Sequence, residues 1–180
     1  MHVLQSDFAR RALVLLGLAT LLGLSGCVQY RDGTNLTCPR AVFLGGAETL
    51  TRFVPGAAAT DDNIAAQIRL SGLQYNCRTS RRDAVATVLF AVAGVRRNAA
   101  LPGTIDVPYF VAVVDSQGLI IAKQIFTTRL AYIAGVSSVT VRPEIYETLT
   151  PAAGLSPVAY EIIVGIQLTP EEFEYNLARK

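Results

Sequence analysis

The apolar positions of this chain fall into short runs separated by clusters of Gly, Pro, Asp and Asn, the rhythm of strands and tight turns. Ala41–Leu44 reads as a first strand stopped by Gly45-Gly46, and Thr49–Val54 as a second ending before Pro55-Gly56. From Ile64 to Leu70 the alternation is strict, with Ile64, Ala66, Ile68 and Leu70 on one face and Gln67 and Arg69 on the other. Past Ser71-Gly72 the apolar set moves to Leu73, Tyr75 and Cys77, a one-residue change of phase that predicts a β-bulge. Ala84–Val95 is apolar on both faces apart from Thr87 and predicts a central strand, a buried helix being the alternative. Tyr109–Val114 and Leu119–Phe126 flank Asp115-Ser116-Gln117-Gly118, a hairpin signal because Gly can take positive φ. Weaker strands over Ser138–Val141 and Ile145–Leu149 surround Pro143, and Tyr160–Leu168 alternates best of all. Thr169-Pro170-Glu171-Glu172 then opens a helix, with Thr as N-cap, Pro at N1 and Glu at N3 of a capping box. That helix should run to about Leu177, with Phe173 and Leu177 packing on one side.

Seven or more strands within residues 38–180 predict a single, mainly β domain. The expected architecture is an immunoglobulin-like or fibronectin-III-like antiparallel β-sandwich with a short C-terminal helix; a small β-barrel is the alternative. Trp is absent, so the immunoglobulin label is architectural only. Such a fold does not specify a function.

The N-terminus carries different information. Arg10 and Arg11 precede 15 uncharged residues, Ala12 to Gly26, rich in Leu, Ala and Gly. A spanning helix needs about 20, so this run has the size of a signal-peptide hydrophobic region. It ends in Leu24-Ser25-Gly26-Cys27, which resembles the lipobox of bacterial lipoprotein precursors. The resemblance implies cleavage before Cys27, diacylglycerol on its sulfur and an acyl chain such as palmitate on its amine. Residues 1–26 are then a lipoprotein signal peptide and residues 27–37 a lipidated tether. An uncleaved anchor is the competing reading, since the uncharged run continues to Tyr30. Twin arginines also invite a twin-arginine export route, but the polar context that route prefers is missing. Val28, in place of an inner-membrane-retaining Asp, favours an outer-membrane lipid anchor facing the periplasm over an inner-membrane one.

Composition narrows the chemistry. The chain has 180 residues, 51% of them hydrophobic and 17% charged, a mean hydropathy of +0.38 and a net charge of +2. It has enough apolar surface for a core and lacks the clustered basic surface of a nucleic-acid binder. Removing residues 1–26 takes away Arg10, Arg11 and Asp7, leaving 14 basic against 13 acidic residues. The only histidine, His2, goes too, and with it Ser-His-Asp and Cys-His catalysis and His-ligated metals.

Cys38 and Cys77 remain once Cys27 is lipidated. An exported compartment permits a disulfide, and the two meet if their strands pair. A redox pair is the alternative, although redox catalysts hold their cysteines in Cys-x-x-Cys. Arg81 and Arg82, with Arg78, form one basic group; Arg96 and Arg97 form another beyond the central strand. Either group could bind an anion in bidentate fashion, or keep a strand end soluble. Carboxylates are scattered over Asp61, Asp62, Asp106, Asp115, Glu144, Glu147 and Glu161, with no phosphate loop or nucleophile elbow. The expectation is a non-enzymatic envelope lipoprotein without cofactor or metal. Its domain serves as an interaction or assembly module for an envelope protein or polymer. A lipid or small-ligand carrier with an apolar cavity between the sheets is the alternative, and a carboxylate-dependent hydrolase a more remote one.

Overall fold

The computed structural model describes residues 38–79 and 83–179, which belong to one compact unit, Asn35–Lys180. Nine strands follow one another: β1 Arg40–Phe43, β2 Thr49–Phe53, β3 Ile64–Thr79, β4 Ala84–Arg96, β5 Gly103–Val114, β6 Ile120–Tyr132, β7 Ser138–Val141, β8 Glu144–Leu149 and β9 Glu161–Ile166. Short 3-10 turns at Asp61–Asn63 and Pro157–Ala159 and one helix, α1 (Pro170–Leu177), complete the chain. Two sheets result. Sheet A has the order β1-β9-β5-β6; sheet B has β2-β3-β4-β7, with β8 pairing the first half of β4. The domain is mainly β and sandwich-like, with one sheet curled like half a barrel.

Local signals place most elements where the sequence predicts them. The phase change in β3 is a register shift between Ser71 and Gln74, with Gly72 at φ 62°. At the β5–β6 hairpin Gly118 adopts φ 81° and its N–H donates to the Asp115 carbonyl at 3.0 Å. Thr169 caps α1: its hydroxyl accepts from the Glu172 N–H at 3.2 Å, and the Glu172 carboxylate accepts from the Thr169 N–H at 2.9 Å. Phe173 and Leu177 lie over Gly46, as their spacing predicts.

Three expectations need correction. The sheets are not wholly antiparallel, because β1 pairs with β9 in parallel, Arg40 opposite Glu161 through Phe43 opposite Val164. Strand β4 is central but not buried on both faces. Its inner row from Ala84 to Val92 is closed off, whereas Val85 and Val95 on the outer row are 38% and 54% exposed. Strands β5 and β6 also run longer than their clean alternation indicates, and β5 contains Pro108. Pro108 accepts from the Gln167 N–H at 2.9 Å, so its missing donor faces the point where β9 has already ended.

The core lies between the sheets. Phe90 of β4 meets Phe43 of β1 and Tyr109 of β5 edge-on, with ring centroids 6.2 and 5.3 Å apart, and Tyr109 stacks on Phe126 of β6 at 5.5 Å. Burying one such ring completely is worth about 1.5–3 kcal/mol. Cys38 and Cys77 form a disulfide with Cα atoms 5.6 Å apart. Their strands do not pair, however. Cys38 precedes β1 of sheet A and Cys77 lies in β3 of sheet B, so the bond joins the sheets rather than neighbouring strands.

Candidate functional site

Strand β5 is buried at every position from Tyr109 to Val114, on both of its faces. Tyr109, Val111 and Val113 belong to the core, while Phe110, Ala112 and Val114 alternate onto the outer face of sheet A. There they line the floor of a groove of about 640 Å³ together with Ile163 of β9. Ile120 and Lys123 of β6 border it on one side; Leu168, Pro170 and Phe173, leading into α1, border it on the other. Gly165 makes the floor possible. A Cβ there would stand 2.8 Å from the Phe110 ring and 3.0 Å from the Ala47 Cβ, so only glycine lets the ring settle against β9.

Two polar features mark this groove. The Lys123 ammonium lies 4.5 Å from the centroid of the Phe110 ring, a cation–π contact that holds a positive charge at the border. Gln167, also in the lining, has its Oε1 buried with no hydrogen-bond partner. That oxygen is closed off from solvent, so the groove surface itself is left mainly apolar.

A second unusual group lies between the sheets. Cys77, Ala86 and Glu147 form one row across sheet B, with Glu147 turned inward beside Ile145 and Leu149 and only 4% exposed. Gln124 Nε2 of β6 donates to its Oε2 at 3.4 Å, and Oε1 has no partner. Burial pushes the Glu147 pKa up. Gln124 itself is exposed, so the seam between β6 and β8 is open at this level.

The residues singled out from sequence fare differently. Cys27, Arg81 and Arg82 lie outside the described residues. Arg96 donates to the carbonyls of Val136 and Ile133, both at 3.1 Å, and covers the Tyr132 ring at 4.7 Å, pinning the β6–β7 turn. Arg97 donates to the carbonyls of Asp61 and Asp62. Both guanidinium groups are thus engaged with the main chain. The carboxylates are likewise dispersed: Asp61 pairs with Arg179, Asp106 with Arg129 through bonds of 2.7 and 3.1 Å, and Glu161 with Arg40 at 3.7 Å. The Arg129 hydrogen bonds hold Asp106 below the usual carboxylate range. Among the described residues no group of three or more His, Cys, Asp or Glu could hold a metal ion.

Sequence reading missed the groove and the burial of Glu147, yet both have signals. Pro108–Val114 lacks any polar position, which a strand with one solvated face would not do. Glu147 shares the period-two face of Ile145 and Leu149.

Together these features define a two-sheet β domain carrying an apolar groove on the outer face of one sheet. Comparison with protein-family models, with characterised proteins and with solved structures finds no match. No helix among the described residues is long and apolar enough to cross a membrane.

Proposed function

We propose that this chain is an envelope lipoprotein, cleaved after Gly26 and held by lipid on Cys27 at the periplasmic side of the outer membrane. Its β domain acts as a non-enzymatic binding module that receives an apolar segment of a partner protein along β9. The observation that carries this reading is the groove beside β9, because it pairs an apolar floor with one border cation. A peptide segment supplies what such a groove lacks: aliphatic side chains to lie against Phe110 and Ile163. Arg96 and Arg97 are engaged in holding loops and turns, and Asp61, Asp106 and Glu161 are ion-paired at separate places, so none of these offers a competing site. We also read the fold as immunoglobulin-like rather than as a small closed barrel, since no hydrogen-bonded ladder joins the sheets among the described residues.

The carrier reading survives in altered form. The described cavity with the most apolar lining lies outside sheet A, not between the sheets, and Lys123 would suit the anionic head of a lipid. One experiment separates the two. A photo-crosslinking amino acid at Ile163, in the full chain in its native host, is expected to trap one discrete envelope protein. Ala112→Glu, which puts a charge on the groove floor, should abolish that adduct. Adducts to lipid alone would transfer the assignment to the carrier, and no adduct at all would overturn both.

A further inference from the structure

The strand registers fix which chain segments meet at each end of the domain. Arg40 pairs with Glu161 and Glu161 with Val114, so the starts of β1 and β9 and the β5–β6 turn share one pole of sheet A. Sheet B brings its own connections there: Cys77 is bonded to Cys38, and Thr79, Ala84 and Leu149 form one row beside it. The segment between β8 and β9 crosses this pole, where the Thr150 hydroxyl donates to Asp83 at 2.9 Å. Cys38, the residue to which the 28–37 segment is joined, therefore sits at this pole.

The same pole is aliphatic. Leu119, Ile120 and Ile121 are consecutive at the hairpin apex and 60%, 64% and 55% exposed, and Leu155 and Val158 on the crossing segment are exposed as well. Cations accompany them, Lys123 two residues further along β6 and Arg78 near the end of β3. The acids at this end all have partners, and Glu161 has a cationic one. Asp115 accepts from the N–H groups of Gln117 and Leu119 at 2.9 Å, Glu161 pairs with Arg40, and Asp83 is bonded to Thr150.

We propose that this pole is a membrane-contact face. The hairpin apex, with Leu155 and Val158, enters the interfacial layer of the bilayer, and Lys123 and Arg78 meet the lipid phosphates. The proposal rests on the anchor reading for the whereabouts of the bilayer. Ten residues from Val28 to Thr37 span at most about 33–36 Å, so an anchor at Cys27 sets a limit on distance from the bilayer and does not itself choose the pole that meets it. An aliphatic apex beside cations supplies the second, orienting attachment.

The absence of Trp makes the test direct, because an introduced Trp is the only one in the chain. Full-length protein from its native host is placed in vesicles of phosphatidylethanolamine and phosphatidylglycerol with brominated acyl chains. Ile120→Trp should lose about two-fold in emission, as a side chain buried about 5–10 Å into the boundary layer would. Ile133→Trp, at the opposite end of β6 and 71% exposed, should keep its emission. Leu119→Trp repeats the measurement should Ile120→Trp misfold. Equal quenching at both poles, or none at Leu119 and Ile120, overturns the proposal, as does an apex engaged in a dimer and shielded from lipid. Intact mass on the same sample keeps the two readings apart. A lipidated Cys27 without apex quenching removes the contact face and leaves the anchor; an unlipidated chain quenched at the apex does the reverse.

Discussion

Replacing Glu147 by Gln isolates one electrostatic cost in this domain. Glu147 is 4% exposed, receives one long hydrogen bond from Gln124 and leaves Oε1 unpartnered. Burial disfavours its charged form, so the folded-state pKa lies above the ordinary 4.5. Through the window between those two values the native state binds more protons than the unfolded chain, and stability falls as pH rises. The cost grows as pH rises above 4.5 toward the raised pKa, and fades below pH 4.5. Leaving a buried polar group unsatisfied costs about 1–3 kcal/mol, and each unit of pKa displacement corresponds to about 1.4 kcal/mol. Glu147→Gln removes the ionisation and should therefore gain on the parent between pH 4.5 and pH 7, by about 1.4 kcal/mol for each unit by which burial raises the pKa. The background is quiet. His2 is the only histidine, and the depressed carboxylates Asp106 and Glu171 titrate below their ordinary values of 3.8 and 4.5, outside the window. Urea unfolding followed by circular dichroism between pH 4 and pH 7.5, disulfide intact, reads both the size and the slope. A Gln variant less stable than the parent at pH 7, or a difference that does not change with pH, would refute the argument.

Two further substitutions test the fold that supports the groove. Gly165→Ala should cost about 1–3 kcal/mol and lower the melting temperature, because the new methyl displaces the Phe110 ring from β9; parental stability would show that the ring is not held there. Cys38→Ser and Cys77→Ser should each cost about 4 kcal/mol for a loop of this length, and the double variant no more, since all three lose the same bond; additive losses would count against a single shared cross-link.

What the sequence discloses here depends on how far a signal reaches. The α1 capping box, the Gly118 hairpin and the β3 bulge each depend on residues a few positions apart, and each is legible directly. The parallel pairing of β1 with β9 is not, because its partners are more than a hundred residues apart and short apolar strands carry no mark of direction. The exposure of the outer row of β4 is lost for a related reason. Alanine and valine suit a buried or a half-covered face, and only the neighbouring sheet decides which. The arginines show the same limit from the polar side. Arg96 and Arg97 look like free surface charge in sequence, yet they bind carbonyls of turns 35 to 40 residues away.

Topology also gives the disulfide a mechanical meaning that stability arithmetic misses. Strand β1 is the edge of sheet A, four residues long and laddered on one side only, to β9. A short edge strand of this kind is the first element to peel when its chain is pulled. If the chain is anchored through Cys27 as proposed, a pull from the membrane would reach Cys38 before β1. There the bond to Cys77 would divert the force into β3, which spans 16 residues, is laddered to β4 along most of its length and pairs with β2 over Ile64–Arg69. A bridge between two strands of one sheet would have left the pull within that sheet. Joining the sheets at Cys38 would share such a pull between them, and would shield the four-residue ladder of β1 on β9.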